Sequence, residues 1–309
     1  MGALEEARQH AAQGEKALKT SMLSLKFTPD HLTASLEYSQ AATKYRAAGS
    51  LAECEKAWVR AAELKEHLSD LMGAGRAYES AAAVCEGAGA ASVTGGPGAA
   101  VAYMEKAVRC FRLCGKAEIA AKLLLKLAAV HEKEGNVEKT KAAYSDAIEV
   151  FQEEEKDHNL GDVYKQYIGF LVTAELIDEA LKAIDGHVEV LTRQKHFSFV
   201  HKEMLGKAVL NIFRQDVVGA EEALHGPGSG TDGWYTSKEF QVGTELVEAF
   251  QQNDVEKLQS LQKEQTFTFL QVQVARLVRR LEIPGGAAAA AASGATGDAP
   301  KLDMADLLM

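Results

Sequence analysis

Apolar and polar positions alternate along most of this chain with a period near 3.6, the spacing that lays one apolar stripe along a helix. The segment "KAEIAAKLLLKLAAVHEKE" (116–134) displays the pattern. Ile119, Leu123, Leu127 and Val130 make one stripe, and Lys122, Lys126 and Lys133 form a column beside it. Runs of β-branched residues with period two are absent, so no strand is expected. Gly49, Gly115 and Gly135 close helical runs as C′ residues do, and Ser50 and Asn136 follow as expected N-caps of the next helices.

The helical pattern repeats. "YSQAATKYRAAG" starts at Tyr38, "YESAAAVCEGAG" at Tyr78, "YMEKAVRCFRLCG" at Tyr103 and "YSDAIEVFQEEE" at Tyr144, with a weaker copy, "EALKAIDGHVEV", from Glu179. Tyr38 and Tyr78 are 40 residues apart and Tyr103 and Tyr144 are 41; the shorter step between them contains the Gly-rich "GAGAASVTGGPGAA". A helical repeat of this length is a pair of antiparallel helices that buries its stripe only by stacking on its neighbours. The expected fold is all-α: a right-handed superhelical solenoid of antiparallel TPR-like helical hairpins over 1–225, then a C-terminal helical bundle or cap over 226–283. Residues 284–309, after Pro284, read as a low-complexity tail with an acidic, Leu-containing end.

One stretch breaks the rule that connections are polar. In "SMLSLKFTPDHLTASLEYSQAATKY", Met22, Leu23, Leu25 and Phe27 crowd the connection at 21–30, just before Pro29. On the residues alone this is either a hydrophobic staple that packs the first helix or a contact made outside the fold. Met22 and Leu23 read as a continuation of the first helix, and so as core.

Composition narrows the chemistry. The net charge of −10, from 34 basic and 44 acidic residues, weighs against nucleic acid as a partner. No apolar run approaches the ~18–20 residues of a membrane span, and no signal peptide is evident, so a cytoplasmic protein is expected. Cys54, Cys85, Cys110 and Cys114 then read as free thiols used as small buried apolar residues. No phosphate-loop motif occurs, "HEKEG" lacks the second histidine of a zinc helix, and no nucleophile has a matched base. Glu153, Glu154, Glu155 and Asp157 read as a solvated helix end. No catalytic residue, metal or cofactor is expected, and a binding scaffold is favoured over an enzyme.

The order and spacing of four segments carry a resemblance: "KTSMLSLKFTPDHLTASLEYSQAATKY", "CGKAEIAAKLLLKLA", "LVEAFQQNDVEKL" and the acidic end with Leu308 penultimate. Together they resemble the soluble NSF attachment proteins, most closely the gamma type, over residues 4–283 and the last few. The resemblance implies a cytosolic adaptor, peripheral on membranes, that embraces the assembled SNARE four-helix bundle (syntaxin-type) and recruits and stimulates the hexameric ATPase NSF. It implies membrane contact by Leu25 and Phe27, SNARE contact by Lys116, Lys122, Lys126, Lys165 and Lys202, with Lys207 and Arg193 as additions, and NSF contact by Glu248, Asp254, Asp303, Asp306 and Leu308. Glu118 stands four residues before Lys122 as an intrahelical partner. The competing reading is a generic TPR-like scaffold that holds a peptide or helical partner in a groove.

Overall fold

Helices of seventeen residues succeed one another every twenty residues through much of the chain. The computed structural model describes residues 2–20, 28–87, 96–153, 157–226 and 228–284. In order come α1 (Ala3–Leu18), α2 (His31–Ala47), α3 (Leu51–His67), α4 (Leu71–Gly87), α5 (Gly96–Leu113), α6 (Ala117–Lys133), α7 (Val137–Glu153), α8 (Asp157–Thr173), α9 (Ile177–Arg193), α10 (Phe197–Phe213), α11 (Val217–His225), α12 (Lys238–Gln251), α13 (Val255–Leu261) and α14 (Val272–Val278). Short 3-10 turns occupy Trp234–Thr236 and Gln265–Phe269, and no strand occurs among the described residues. Every regular element among the described residues is helical, as the hydrophobic period requires. Its contacts gather into two compact units, divided within α8 between Val163 and Tyr164.

The twenty-residue rhythm has a local cause. Each three-residue helix connection among the described residues places its middle residue in the left-handed region, which turns the chain back for the next helix. Gly49, Gly115 and Gly135 do this with φ near +70°, as their sequence context predicts. Ser69, Glu175, Lys195, Gln215 and Asn253 do the same with φ between 54° and 66°, although none is glycine. Left-handed backbone is costly for most residues with a Cβ, though less so for Asn, so the turns at Ser69, Glu175, Lys195 and Gln215 are imposed by the packing of the helices they join. Asn136 caps α7 as expected, accepting from the Lys139 backbone N–H at 3.2 Å. Ser50 occupies the N-cap position of α3 but makes no side-chain cap bond.

In the first unit, α1 packs on α2, α2 on α3, α3 on α4, α4 on α5, α5 on α6 and α6 on α7. Small residues permit the close approach: Ala41, Ala61 and Ala81, twenty residues apart on α2, α3 and α4, are fully buried. Gly75 lies so near Phe111 that a Cβ there would meet the ring at 2.7 Å. The repeat tyrosines tie neighbouring helices by polar bonds. Tyr103 donates to the buried Glu55 carboxylate and Tyr78 to Glu66, both at 2.9 Å. Burial, then the bonded carboxylate, pushes both phenols far above their ordinary range. The same two causes push the Cys85 and Cys110 thiols up to about 11, beside Glu55 and Glu66 respectively. Both are therefore protonated and inert at neutral pH. Cys54 is buried too, and Cys114 is partly exposed.

The second unit is organised around α10, which packs against α9, α11, α12 and α14. Val200, Leu205, Val209 and Leu210 of α10 are wholly buried, as are Leu246 and Trp234. The Trp234 indole N–H donates to the Leu224 carbonyl at 2.9 Å and so closes α11 onto the loop that follows. Past α12 the amphipathic run is broken: Thr266, Phe267, Thr268 and Phe269 form a 3-10 turn that separates α13 from α14. Residues 21–27 and 285–309, which hold the apolar loop and the acidic end, lie outside the described residues. Helix α1 ends at Leu18 with Lys19 extended, which removes the reason for reading Met22 and Leu23 as its continuation.

Candidate functional site

On α10 the buried positions leave a second face outward. Phe199 and Lys202, three residues apart, share it, and Gly206 follows one turn later. These residues form one wall of a cleft of about 600 Å³; α8 supplies Lys165 and Gly169, and the segment from Phe269 to Arg276 supplies the opposite wall. Gly169 permits the walls to approach, since a Cβ there would meet the Gln271 amide at 2.9 Å. That amide in turn donates to the Lys165 carbonyl.

Three apolar side chains stand open at this cleft: Phe199 is 43% exposed, Phe269 56% and Val272 59%. Two ammonium groups are held above the rings. Lys202 Nζ lies 5.2 Å from the Phe199 centroid and 5.7 Å from that of Phe269, and Lys165 Nζ lies 5.4 Å from Phe199. Each such cation–ring contact is worth about 0.5–1 kcal/mol at an exposed site, enough to bias where the charges sit. The arrangement offers positive charge and uncovered aromatic surface within one recess. A partner helix that carries carboxylates beside an apolar stripe fits both features. The sequence reading named Lys165 and Lys202 but missed Phe199 and Phe269. The signal was present in "HFSFVHK", where an aromatic residue stands one turn before a lysine, yet nothing in the sequence places Phe269 opposite.

The other three named lysines lie in the first unit on α6. Lys116 is the N-cap residue of that helix, and its side chain is exposed. Lys122 bonds Glu118 at 2.7 Å, the pairing expected from their spacing. Lys126 lies 3.6 Å from Glu79 of α4. The column is thus partly neutralised within the protein, which lowers the charge it presents. Lys207 is bound to Asp185 at 2.5 Å and is mostly buried, so it serves the packing of α9 on α10.

The acidic candidates within the described residues surround α12. The Glu248 carboxylate accepts from Lys257 Nζ at 2.8 Å, and that bond raises the Lys257 pKa. Asp254 caps α13 by accepting from the Lys257 backbone N–H at 2.9 Å. Its charge favours the helix start, and its replacement would cost helix as well as charge. Glu245 and Glu248 line a shallow cleft with Tyr235, Phe240 and Thr244, and Tyr235 is 57% exposed. Leu25, Phe27, Asp303, Asp306 and Leu308 fall outside the described residues. Among the described residues no three His, Cys, Asp or Glu side chains gather as metal ligands would, and no helix is long and apolar enough to cross a membrane.

Comparison with known proteins places this geometry in a family. The family model for soluble NSF attachment protein, SNAP, matches residues 5–268. The gamma-soluble NSF attachment protein of Dictyostelium discoideum is 26% identical over 284 residues, covering 90% of this chain and 83% of that protein. The gamma-soluble NSF attachment protein of Arabidopsis thaliana is 22% identical over 267 residues, covering 86% of this chain and 89% of that one. Among solved structures, BtubC from P. vanneervenii is similar at a TM-score of 0.36 and 14% identity over 72% of this chain and 87% of that one, too distant to carry an argument. With the family model spanning most of its length, the chain belongs to the soluble NSF attachment protein family.

Proposed function

We propose that this chain is an adaptor that binds the assembled SNARE complex and recruits and stimulates NSF, so that the bundle is pulled apart during vesicle fusion and intracellular protein transport. The observation that carries the SNARE half of this reading is the convergence of Lys165 and Lys202 over Phe199 and Phe269. A SNARE four-helix bundle is a rod of amphipathic helices with acidic surface, and a cleft of rings under ammonium groups complements it in shape and charge. Lys116, Lys122 and Lys126 on α6 add a second basic contact of lower net charge.

The NSF half rests on the acids of α12 and on the 301–309 segment, where Asp303 and Asp306 alternate with Leu302, Leu307 and Leu308. Both acids of the described pair are engaged within the protein, Asp254 as the cap of α13 and Glu248 with Lys257; Glu248 is the better placed, because giving up its side-chain partner breaks no helix cap. Membrane contact is assigned to Leu25 and Phe27, helped by Lys19 and Lys26 against anionic lipid. Just beyond that loop, Leu32 and Leu36 of α2 are exposed at 60% and 53%, which extends the apolar character of this end. Such contacts give weak, reversible binding, in keeping with a cytoplasmic protein that visits membranes.

The reading is tested by mixing the purified chain with assembled SNARE bundle and NSF under non-hydrolysing conditions and measuring NSF retained on the bundle. Retention that depends on the chain is expected. No retention with a demonstrably helical, folded chain would overturn the adaptor reading in favour of a scaffold for another partner.

A further inference from the structure

The C-terminal bundle carries a second recess, which meets the first cleft at Val272 and Arg276. It is a cleft of about 740 Å³ between α13, the 3-10 turn and α14. Phe267, Val272 and Ala275 give it an apolar floor and edge. Lys263, Arg276 and Arg279 stand around it, all exposed, and none forms an ion pair among the described residues. Its one acid, Glu264, lies 3.7 Å from Lys238 and is already matched. Three such cations make this apolar recess locally positive in a chain with a net charge of −10. They call for an occupant that is acidic and apolar together.

The chain supplies one beside the cleft. Leu281 and Ile283 are buried, and the Gln262 amide donates to the carbonyls of Val278 and Leu281, both at 3.0 Å, so the backbone is pinned where it leaves α14. Gln259, Gln262 and Arg279 line this cleft and also the neighbouring recess formed by Leu281, Ile283 and Pro284. Residues 285–300 are mostly Ala and Gly, and the next nine read "KLDMADLLM". That segment pairs Asp303 and Asp306 with Leu302, Met304, Leu307, Leu308 and Met309. Sixteen linking residues reach up to roughly 55 Å when extended, far more than the cleft requires. Tethering on this scale supplies an effective concentration in the millimolar range, so even a contact of millimolar intrinsic affinity is substantially occupied.

We propose that the basic cleft between α13 and α14 is the resting place of the chain's own 301–309 segment, with the leucines on Val272 and Ala275, above the buried Phe267, and the aspartates between Arg276 and Arg279. The segment is thereby held on its own bundle until a partner with a stronger basic, apolar site takes it. This cleft shares Val272 and Arg276 with the SNARE cleft, but the test needs neither SNAREs nor NSF.

The full-length chain carrying the photo-crosslinker p-benzoylphenylalanine in place of Leu307 is irradiated at low micromolar concentration, and the adducts are mapped by mass spectrometry. Adducts to residues 259–279 on the monomeric species are expected. Arg276→Glu with Arg279→Glu should reduce them roughly fivefold or more, and so should high salt. Adding Asp303→Lys with Asp306→Lys to that variant should restore them, which separates loss of docking from loss of fold. Adducts only to a second copy, adducts scattered over the surface, or adducts indifferent to charge reversal would each overturn the proposal.

Discussion

Truncating the two rings of the α8–α10–α14 cleft tests the SNARE contact most directly. Phe199 is 43% exposed and Phe269 56%. With roughly 200 Å² of surface per ring, about 85 Å² and 110 Å² remain for a partner to cover. At about 25 cal/mol per Å² that is roughly 2 and 3 kcal/mol if covered completely. Each ring also positions an ammonium group, and its loss frees that lysine at a further ~0.5–1 kcal/mol. With about half of this surface covered by a partner helix, Phe199→Ala is expected to weaken SNARE-bundle binding about tenfold and Phe199→Ala with Phe269→Ala about 100-fold, at about 1.4 kcal/mol per factor of ten. Isothermal titration of the soluble bundle into each variant reads this directly. Because both rings are more than one-third exposed, the helical spectrum and melting should match the parent. Lys202→Gln should cost less, and its loss should shrink at high salt, since the rings remain. Binding within twofold of the parent in the folded double variant would refute the assignment of this cleft.

The remaining expectations concern the scaffold and its acid response. Tyr103→Phe removes a donor from the buried Glu55 carboxylate and should cost about 1.5–3 kcal/mol in urea unfolding; a loss below 0.5 kcal/mol would show that Glu55 does not depend on that bond. Lys195→Gly relieves a left-handed residue with φ of 59° at the α9–α10 turn and should stabilise by about 0.5–1 kcal/mol, read as a higher Tm, whereas destabilisation would deny strain there. Burial against Trp234 lowers the His201 pKa, opposed by Glu239 and Asp232, so the folded state keeps the ring neutral while the unfolded chain takes up a proton near pH 6.5. Stability from this residue is therefore present above about pH 6.5 and lost as pH falls through the lower folded value. His201→Phe should lessen the fall in Tm between pH 7.5 and 5, and parallel curves for both proteins would remove His201 as the cause.

How much of this was legible beforehand varies by element. The helices, their hairpin rhythm and the glycine turns at Gly49, Gly115 and Gly135 follow from local periodicity, because an amphipathic stripe and a left-handed C′ residue are properties of a few neighbouring positions. Asn136 as a cap and Glu118 as the partner of Lys122 were legible for the same reason. Ser69, Glu175, Lys195 and Gln215 were not, since nothing in those side chains favours φ > 0 strongly and only the docking of flanking helices imposes it, whereas Asn253 is the one of the five non-Gly turn residues whose type takes this conformation readily. The break between α13 and α14 was likewise hidden in a continuous apolar pattern.

The sequence by itself determined an all-α chain, its repeat, the charges available for contact and the family it resembles. Those readings depend on period, composition and ordered motifs, all of which are local or additive. Only the tertiary structure decided what each charge stands against. It brought Lys165 and Lys202 onto Phe199 and Phe269, residues up to about a hundred positions apart, and it committed Asp254 to a cap and Lys207 to Asp185. The physical reason is that a lysine or aspartate is the same letter whether it faces a ring, a carboxylate, a helix end or water. Its free energy and its function are set by those neighbours, and the neighbours are chosen by the packing of helices distant in the chain.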